Sequence, residues 1–254
     1  RERDHITNGV TAVWRCRVLK AGGRRALAVC CALALWFAMA TAGWERAGAQ
    51  ATSCGITEIT FTSEAENREP SVSGDGTRIA FLSTSNLTNQ NADGNQEIFL
   101  YDAAAATITQ VTDTAEGSNS DPSISADGMR IAFASIANIT GQNADGNFEL
   151  FLYDTAAGTF TQVTDTTGGG NAGPSVSGDG ARIAFVSISN LTNQNADGSA
   201  EIFLYDATAG TFTQVTDTTA FFVNESASIS GDGSRIAFRS NRFAAGNLDG
   251  NSEI

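Results

Sequence analysis

The amino-acid sequence predicts an all-β fold made of four-stranded antiparallel units that recur along the chain. The segment Pro-Ser-Val-Ser-Gly-Asp-Gly at residues 70–76 returns, with small substitutions, at 122–128, 174–180 and 227–233. Short runs of β-branched and aromatic residues alternate with Asp-Gly and Asn-rich turns, which are hairpin signals. The sequence after residue 50 shows no helical period of apolar residues. Together these observations favour sheets built from local hairpins.

Each unit contains four strand-like segments. In the first unit they are residues 70–73, 78–83, 97–102 and 107–112. An Asp-Gly turn joins the first two, a polar Asn-rich loop joins the second and third, and a short Ala-rich turn joins the last two. The order predicts a sheet in which neighbouring strands in sequence are neighbours in space.

The third strand of the unit predicts how the sheets are arranged. Side chains alternate along a strand, so Ile98 and Leu100 point to one face while Phe99 and Tyr101 point to the other. Both faces are apolar and must be covered, which one unit cannot do alone. Four-stranded sheets that cover each other on both faces form a β-propeller, and we therefore predict this fold.

The repeat resembles a known kind of propeller. Residues 70–81, which read Pro-Ser-Val-Ser-Gly-Asp-Gly-Thr-Arg-Ile-Ala-Phe, and residues 93–102 resemble the WD40-like repeat of TolB-type propellers, and the resemblance covers about residues 56–254. The Trp-Asp pair of WD40 repeats proper is missing from the repeats, and the spacing is longer than theirs. The resemblance implies an exported bacterial protein that takes part in protein interactions at the cell envelope.

The repeats divide the chain into units at residues 70–121, 122–173, 174–226 and 227–254, and the last unit is partial. Residues 56–61 align with the fourth strand of a unit. We therefore expect an incomplete ring, with about four blades present, whose parent ring has six or seven. The segment 56–61 would complete the last blade of that ring. The alternative is a four-bladed ring that this segment closes directly.

The first 49 residues are predicted to be a targeting segment. They hold eight basic and three acidic residues, and a basic stretch at residues 15–25 is followed by an apolar stretch at residues 26–42 and by small residues up to Ala49. This order is typical of a secretory signal peptide, with the propeller at residues 50–254. The alternative is an uncleaved leader, which would be the chain's only link to a membrane. We expect the protein to be periplasmic or secreted.

The charge of the predicted propeller limits the classes of partner that it can bind. The whole chain has 15 basic and 28 acidic residues, and subtracting those of the leader leaves 7 basic and 25 acidic residues, a net charge of −18. Such a surface repels the phosphates of nucleic acids and of anionic lipids. We therefore expect a protein, peptide or glycan partner and no nucleic acid, and we expect a monomer.

The sequence argues against catalysis. His5 is the only histidine, so Ser-His-Asp and Cys-His machinery is missing from the repeats. We predict a non-catalytic extracytoplasmic scaffold. One alternative is the propeller domain of a larger hydrolase of the prolyl-oligopeptidase type, with its catalytic domain beyond Ile254. Another is a structural surface module stabilised by calcium.

The Asn-rich loops raise the question of calcium. Oxygen-bearing residues at alternate positions, a Gly and a later carboxylate are what a Ca²⁺ loop needs. The spacing resembles the calcium loops of integrin-type propellers. The alternative is an Asx-rich turn that binds no metal, and no other cofactor is predicted. The candidate ligands are Asn89, Asn91, Asp93 and Glu97 in the first unit, and Asn193, Asn195, Asp197 and Glu201 in the third.

Repeated and unrepeated arginines lead to different expectations. The arginine beside each Asp-Gly turn, Arg78 in the first unit, is expected to pair with Glu97 or Asp102 or with their equivalents in the same or the next blade. In the fourth unit, Arg239 and Arg242 replace apolar or small residues of the other units. A basic pair in an acidic molecule suggests a contact with a partner.

Overall fold

The computed structural model shows strands, turns and no helix in the part of the chain that it describes. The apolar stretch of the predicted signal peptide and Arg242 lie outside that part. A search of the described residues found no helix with the length and apolar character needed to cross a membrane. The described residues are 12–15, 55–63, 66–115, 118–219, 222–241 and 252–254.

The strands form three complete four-stranded sheets and one two-stranded sheet in the repeat region, and one separate pair. We call the four sheets blades 1 to 4. The separate pair is β1 (Ala12–Arg15) and β2 (Gly55–Glu58). Blade 1 is β3 (Asn67–Val72), β4 (Arg78–Ser83), β5 (Glu97–Asp102) and β6 (Thr107–Gln110). Blade 2 is β7 (Asn119–Ile124), β8 (Arg130–Ser135), β9 (Glu149–Asp154) and β10 (Thr159–Gln162). Blade 3 is β11 (Asn171–Val176), β12 (Arg182–Ser187), β13 (Glu201–Asp206) and β14 (Thr211–Gln214). Blade 4 is β15 (Asn224–Ile229) and β16 (Ile236–Ser240).

Within each blade every strand pairs antiparallel with the next one in sequence, as predicted. The second and third strands have the predicted bounds. The first strand begins earlier than residue 70, because a bulge after Arg68 restores pairing with β4 and lets Asn67 lie opposite Ser83. The fourth strand ends at Gln110 rather than at residue 112.

The blades stack with opposite faces together. Leu82 and Ile98 of blade 1 pack against Ile131 and Phe133 of blade 2 in one buried cluster. Phe99 lies on the other face of blade 1, where its ring stacks on that of Phe81 with centroids 5.7 Å apart. Equivalent clusters join blade 2 to blade 3 and blade 3 to blade 4. The prediction that neighbouring units cover both apolar faces is confirmed.

Hydrogen bonds between the first strands and the Asp-Gly turns of consecutive blades reinforce this stacking. The Ser71 hydroxyl accepts a hydrogen bond from the backbone N–H of Ile124 at 3.0 Å, and the same bond recurs at both later junctions. The Gly74 N–H donates to the carbonyl of Ala126 at 2.8 Å. Because each blade bonds its successor in the same way, the blades follow one another around an axis.

The four blades form an unclosed ring of a β-propeller. A methyl group added to Gly74 would meet Ala126, and one added to Gly128 would meet Arg78, because these glycines lie at blade junctions. Nothing lies within 4 Å of a methyl group added to Gly76 or Gly231 at the two ends of the array. The described residues therefore do not form the alternative closed four-bladed ring.

The pair β1 and β2 forms a unit separate from the blades. The two strands are antiparallel, with Ala12 opposite Glu58 and Arg15 opposite Gly55. The strand predicted at residues 56–61 is thus shorter, and it pairs with β1. Its role in completing a blade of a larger ring stays a prediction.

Candidate functional site

Two of the repeated arginines, Arg78 and Arg182, connect their own blade to the next one. The Nε of Arg78 lies 3.6 Å from the Asp102 carboxylate of its own blade, and its Nη1 donates to the Gly128 carbonyl of the next blade at 2.9 Å. The expected pairing with Asp102 is therefore present, whereas Glu97 has other partners. The backbone N–H groups of Ala105 and Ala104 lower the pKa of Asp102, and Arg78 adds to this. Arg78 and Asp102 therefore have a structural role within and between blades.

A buried carboxylate links each complete blade to the following one. In blade 2, one carboxylate oxygen of Glu149 accepts hydrogen bonds from the N–H and hydroxyl of Thr166, both at 2.6 Å. The other oxygen accepts from the Nδ2 of Asn171 in blade 3, at 3.0 Å. We call this arrangement the Glu-Thr-Asn clasp. It recurs with Glu97, Thr114 and Asn119, and with Glu201, Thr218 and Asn224.

The first predicted calcium loop is divided by the fold. Asn89 and Asp93 are exposed, whereas Asn91 and Glu97 are buried. The Nδ2 of Asn91 donates to the carbonyl of Asn95 at 3.0 Å, and Glu97 belongs to a clasp. The residues thus make the contacts of a polar turn.

In the third loop, the structure brings three of the predicted ligands around one hydroxyl. The Ser199 Oγ lies 3.2 Å from Asn195 Oδ1, 2.9 Å from Asp197 Oδ1 and 2.8 Å from Glu201 Oε1, while Asn193 is exposed. The described residues contain no group of three or more His, Cys, Asp or Glu suited to a metal. Calcium binding by these loops stays a prediction.

Arg239, predicted to contact a partner, lies on β16 opposite Glu225 of β15. Its Nη2 is 3.1 Å from Glu225 Oε1, and half of the side chain, 51%, is exposed. The neighbouring Ala237 on the same face is also exposed. Arg239 is therefore accessible to a partner while it is paired within the blade, and its contact with a partner stays a prediction.

The first strands of the four blades line a groove of about 650 Å³, which we call the axial groove. These strands are β3, β7, β11 and β15, and each contributes one residue in the left-handed region of the backbone. These residues are Glu69, Asp121, Gly173 and Ser226, with φ between 54° and 59°. Residues other than glycine are rare in this conformation and cluster at functional sites. The recurrence at one position of every blade marks the groove as the candidate site.

The charge of the axial groove is negative. Glu69, Asp121 and Glu225 line it, and no Lys or Arg does so among the described residues. The Glu69 carboxylate accepts the N–H of Asp121 at 2.8 Å, and Asp121 accepts that of Gly173 at 3.4 Å. Glu69 and Asp121 are thus held at the groove wall by backbone N–H groups of the next blade and form no ion pair among the described residues, whereas Glu225 pairs with Arg239.

The axial groove is not predicted by the sequence. Its four bulge residues precede a Pro-Ser dipeptide, which is Ala-Ser in the fourth unit, but they differ from unit to unit, so the sequence offers no repeated residue type. The strand register brings them together. The signal that could have pointed to them is their position, one residue before the most regular part of the repeat.

No protein-family model matches the chain, and no curated protein matches it. Among solved structures, the chain is similar to the tricorn protease, at 15% identity and a TM-score of 0.49, over 74% of this chain and 16% of that one. It is also similar to a prolyl endopeptidase, at 16% identity and a TM-score of 0.49, over 69% of this chain and 26% of that one. A third similar structure comes from the nidogen/laminin complex, at 7% identity and a TM-score of 0.49, over 73% and 63%. Similarities of this size concern the fold alone.

Proposed function

We propose that this chain is a non-catalytic binding scaffold that holds a basic segment of a protein or peptide partner in the axial groove. The observation that carries the proposal is the charge of the groove. Its carboxylates face one cavity without a lining Lys or Arg, and opposite charges lower the energy of a complex and speed its formation. The net charge of −18 after the predicted leader favours the same class of partner.

The non-catalytic part of the proposal is supported by how the polar side chains are used. The most buried carboxylates, Glu97, Glu149 and Glu201, accept hydrogen bonds in clasps and are closed off from solvent. The repeats contain no histidine that could act as a base near neutral pH. A carboxylate that the fold uses at every junction is better suited to stability than to a single reaction.

The TolB-like assignment and the location are also part of the proposal. They rest on the repeat sequence at residues 70–81 and 93–102 and on the composition of the first 49 residues. In this view the protein is exported, remains monomeric, and meets its partner in the periplasm or outside the cell.

A second candidate function is the propeller domain of a larger hydrolase of the prolyl-oligopeptidase type. The nucleophile and its base would have to come from outside the repeats, which have no histidine. The parent gene decides this candidate, because such a hydrolase needs a G-x-S-x-G turn downstream of the propeller.

The binding proposal is tested by calorimetry with a basic probe peptide, an extended decapeptide with alternating Lys and Ser. In the test variant, Glu69→Gln and Asp121→Asn remove two groove charges while retaining acceptor oxygens for the bonds to Asp121 and Gly173. The control variant, Asp93→Asn with Asp145→Asn, removes two charges from exposed loops. We expect the groove variant to bind about tenfold more weakly and the control to bind like the original protein.

Two results would reject the basic-partner proposal. One is a peptide that does not bind the original protein at low salt. The other is an equal loss of affinity in both variants, since this would mean that the peptide responds to net charge and not to the groove.

A further inference from the structure

Two further hollows lie away from the axial groove, at the junctions between blades. The first, between blades 1 and 2, has a volume of about 540 Å³, and the second, between blades 2 and 3, has about 690 Å³. They occupy equivalent positions of consecutive repeats, so the fold presents two similar sites side by side.

The floor of each hollow is apolar and partly aromatic. The first is built from Val111, Ile139 and Phe160. The ring of Phe160 is held by the ring of Tyr153, with centroids 4.8 Å apart, and edge-on by that of Phe133 at 6.1 Å. The ring is therefore fixed in place while part of its surface remains accessible. The equivalent floor residues of the second hollow are Val163, Leu191 and Phe212.

The rim of each hollow offers one acceptor and one donor. The exposed carboxylates of Asp113 and Asp165 make no hydrogen bond or ion pair with the rest of the described chain. The amides of Asn138 and Asn190 are oriented, because their Oδ1 atoms accept the N–H of Asn143 and Asn195 at 2.8 Å. Their Nδ2 groups are left to donate outward, since neither makes a bond to the described residues.

This combination fits a neutral sugar. A pyranose ring has an apolar C–H face that packs on a fixed aromatic floor and equatorial hydroxyls that pair with a carboxylate and an amide at the edge. The carboxylate repels anionic sugars and phosphates. Two such hollows in consecutive repeats fit a polymer of repeating sugar units, since two weak sites on one chain bind a polymer more tightly than either binds alone.

We propose that the two junction hollows bind neutral hexose units of a repeating glycan. The proposal goes beyond the basic partner of the axial groove and is independent of it. The sequence limits the full residue set to these two junctions. Phe61 stands at the position of Asp113 before the first blade, and Phe243 stands at that of Asn190 in the fourth repeat.

The test is binding of soluble neutral polysaccharides, a mannan, a galactan and a β-glucan, measured by affinity electrophoresis, and of the matching hexasaccharides, measured by calorimetry. The test variant is Asn138→Asp with Asn190→Asp, which keeps the Oδ1 acceptors of the turns and replaces each outward donor by an acceptor. The matched control is Asn86→Asp, the same change at the same loop position of the first repeat, where Oδ1 accepts the N–H of Asn91 at 2.9 Å.

We expect at least one of these glycans to bind the original protein, and the double variant to bind it at least tenfold more weakly. A single substitution should weaken binding of the polymer while leaving the hexasaccharide affinity within about twofold, because one hollow remains. Asn86→Asp should leave both affinities unchanged.

The proposal is overturned if none of the three glycans binds at millimolar concentration, or if Asn86→Asp weakens binding as much as the double variant. It is also overturned if the double variant loses the basic peptide instead, since the hollows would then be peptide sites. Loss of glycan binding with normal peptide binding leaves the axial groove proposal intact, so the two proposals fail separately.

Discussion

Removing the buried carboxylate of a clasp tests how the blades are held together. Glu149 is fully buried, and it joins β9 to Thr166 and, across the junction, to Asn171. Glu149→Ala deletes the acceptor of three hydrogen bonds. Glu149→Gln keeps one oxygen for the two donors of Thr166 and turns an amide nitrogen toward the Nδ2 of Asn171.

The expected magnitudes follow from these contacts. A hydrogen bond to a charged group contributes about 1.5–3 kcal/mol, and a buried donor left without an acceptor costs about 1–3 kcal/mol. The second proton of Asn171 Nδ2 retains the carbonyl of Phe148 at 2.9 Å, so mainly the two Thr166 bonds are lost outright. We therefore expect Glu149→Ala to lower the free energy of unfolding by about 3–5 kcal/mol and Glu149→Gln by about 1–2 kcal/mol.

The measurement is urea unfolding followed by circular dichroism, with Asp145→Ala as the control. Asp145 is an exposed acid of the preceding loop, and its removal should change the stability by no more than about 0.5 kcal/mol. If Glu149→Ala behaves like this control, the clasp does not stabilise the junction. If Glu149→Gln costs as much as the alanine variant, the paired bonds to Thr166 are not the main contribution.

Three further predictions follow from the repeated turns and loops. Gly180→Ala should destabilise the protein by about 1–3 kcal/mol more than Gly76→Ala in the same unfolding assay. Both glycines have a φ of 71°, but only a methyl group at residue 180 would collide with a neighbour, because it would lie 2.9 Å from the Cβ of Arg130. Equal losses of stability would mean that the blade junction accommodates the methyl group at little cost. The Thr77 N–H and Ser73 hydroxyl lower the pKa of Asp75 to about 2, and the Ser230 hydroxyl and Ser234 N–H do the same for Asp232. Since both folded pKa values lie below the ordinary 3.8, the stabilisation from these two carboxylates should be complete above about pH 4 and be lost as the pH falls through about 2. The measurement compares the urea midpoint of the original protein with that of the Asp75→Asn, Asp232→Asn double variant as the pH is lowered. An equally steep fall in both proteins would contradict the prediction. Because the buried carboxylates of the Asn-rich loops already accept N–H and O–H donors, we expect millimolar Ca²⁺ to leave the melting temperature unchanged, and a rise would instead assign these loops as calcium sites.

The strands and their faces could be predicted because they depend on local patterns. Alternation along residues 97–102 placed Ile98 and Phe99 on opposite faces, and the Asp-Gly turn set the start of β4 at Arg78. The bulge at Glu69 could not be predicted from the same pattern. The bulge is needed for Asn67 to pair with Ser83, and this contact exists only once the sheet has formed.

The candidate calcium ligands show that spacing along the sequence does not determine the direction in which a side chain points. The spacing Asn-x-Asn-x-Asp-Gly-x-x-Glu describes a chain that could surround an ion, yet Glu97 bonds Thr114 and Asn119, which lie 17 and 22 residues further along. A threonine recurs 17 residues after each such glutamate and an asparagine 22 or 23 residues after it, so the repeat held this information. The spacing alone could not reveal whether the carboxylate turns to the loop or to the next blade.

The sequence by itself determined the repeating unit, the order of its strands and the need for each sheet to be covered on both faces, because these follow from alternation and turn chemistry within about fifty residues. Only the tertiary structure decided which polar groups are used up between blades and which remain for a partner. Glu149 and Asp165 are both acidic residues of the second repeat, but one is enclosed by the donors of a junction and the other lies at the rim of a hollow. Their difference arises from the packing of one blade on the next, which brings together residues from separate repeats.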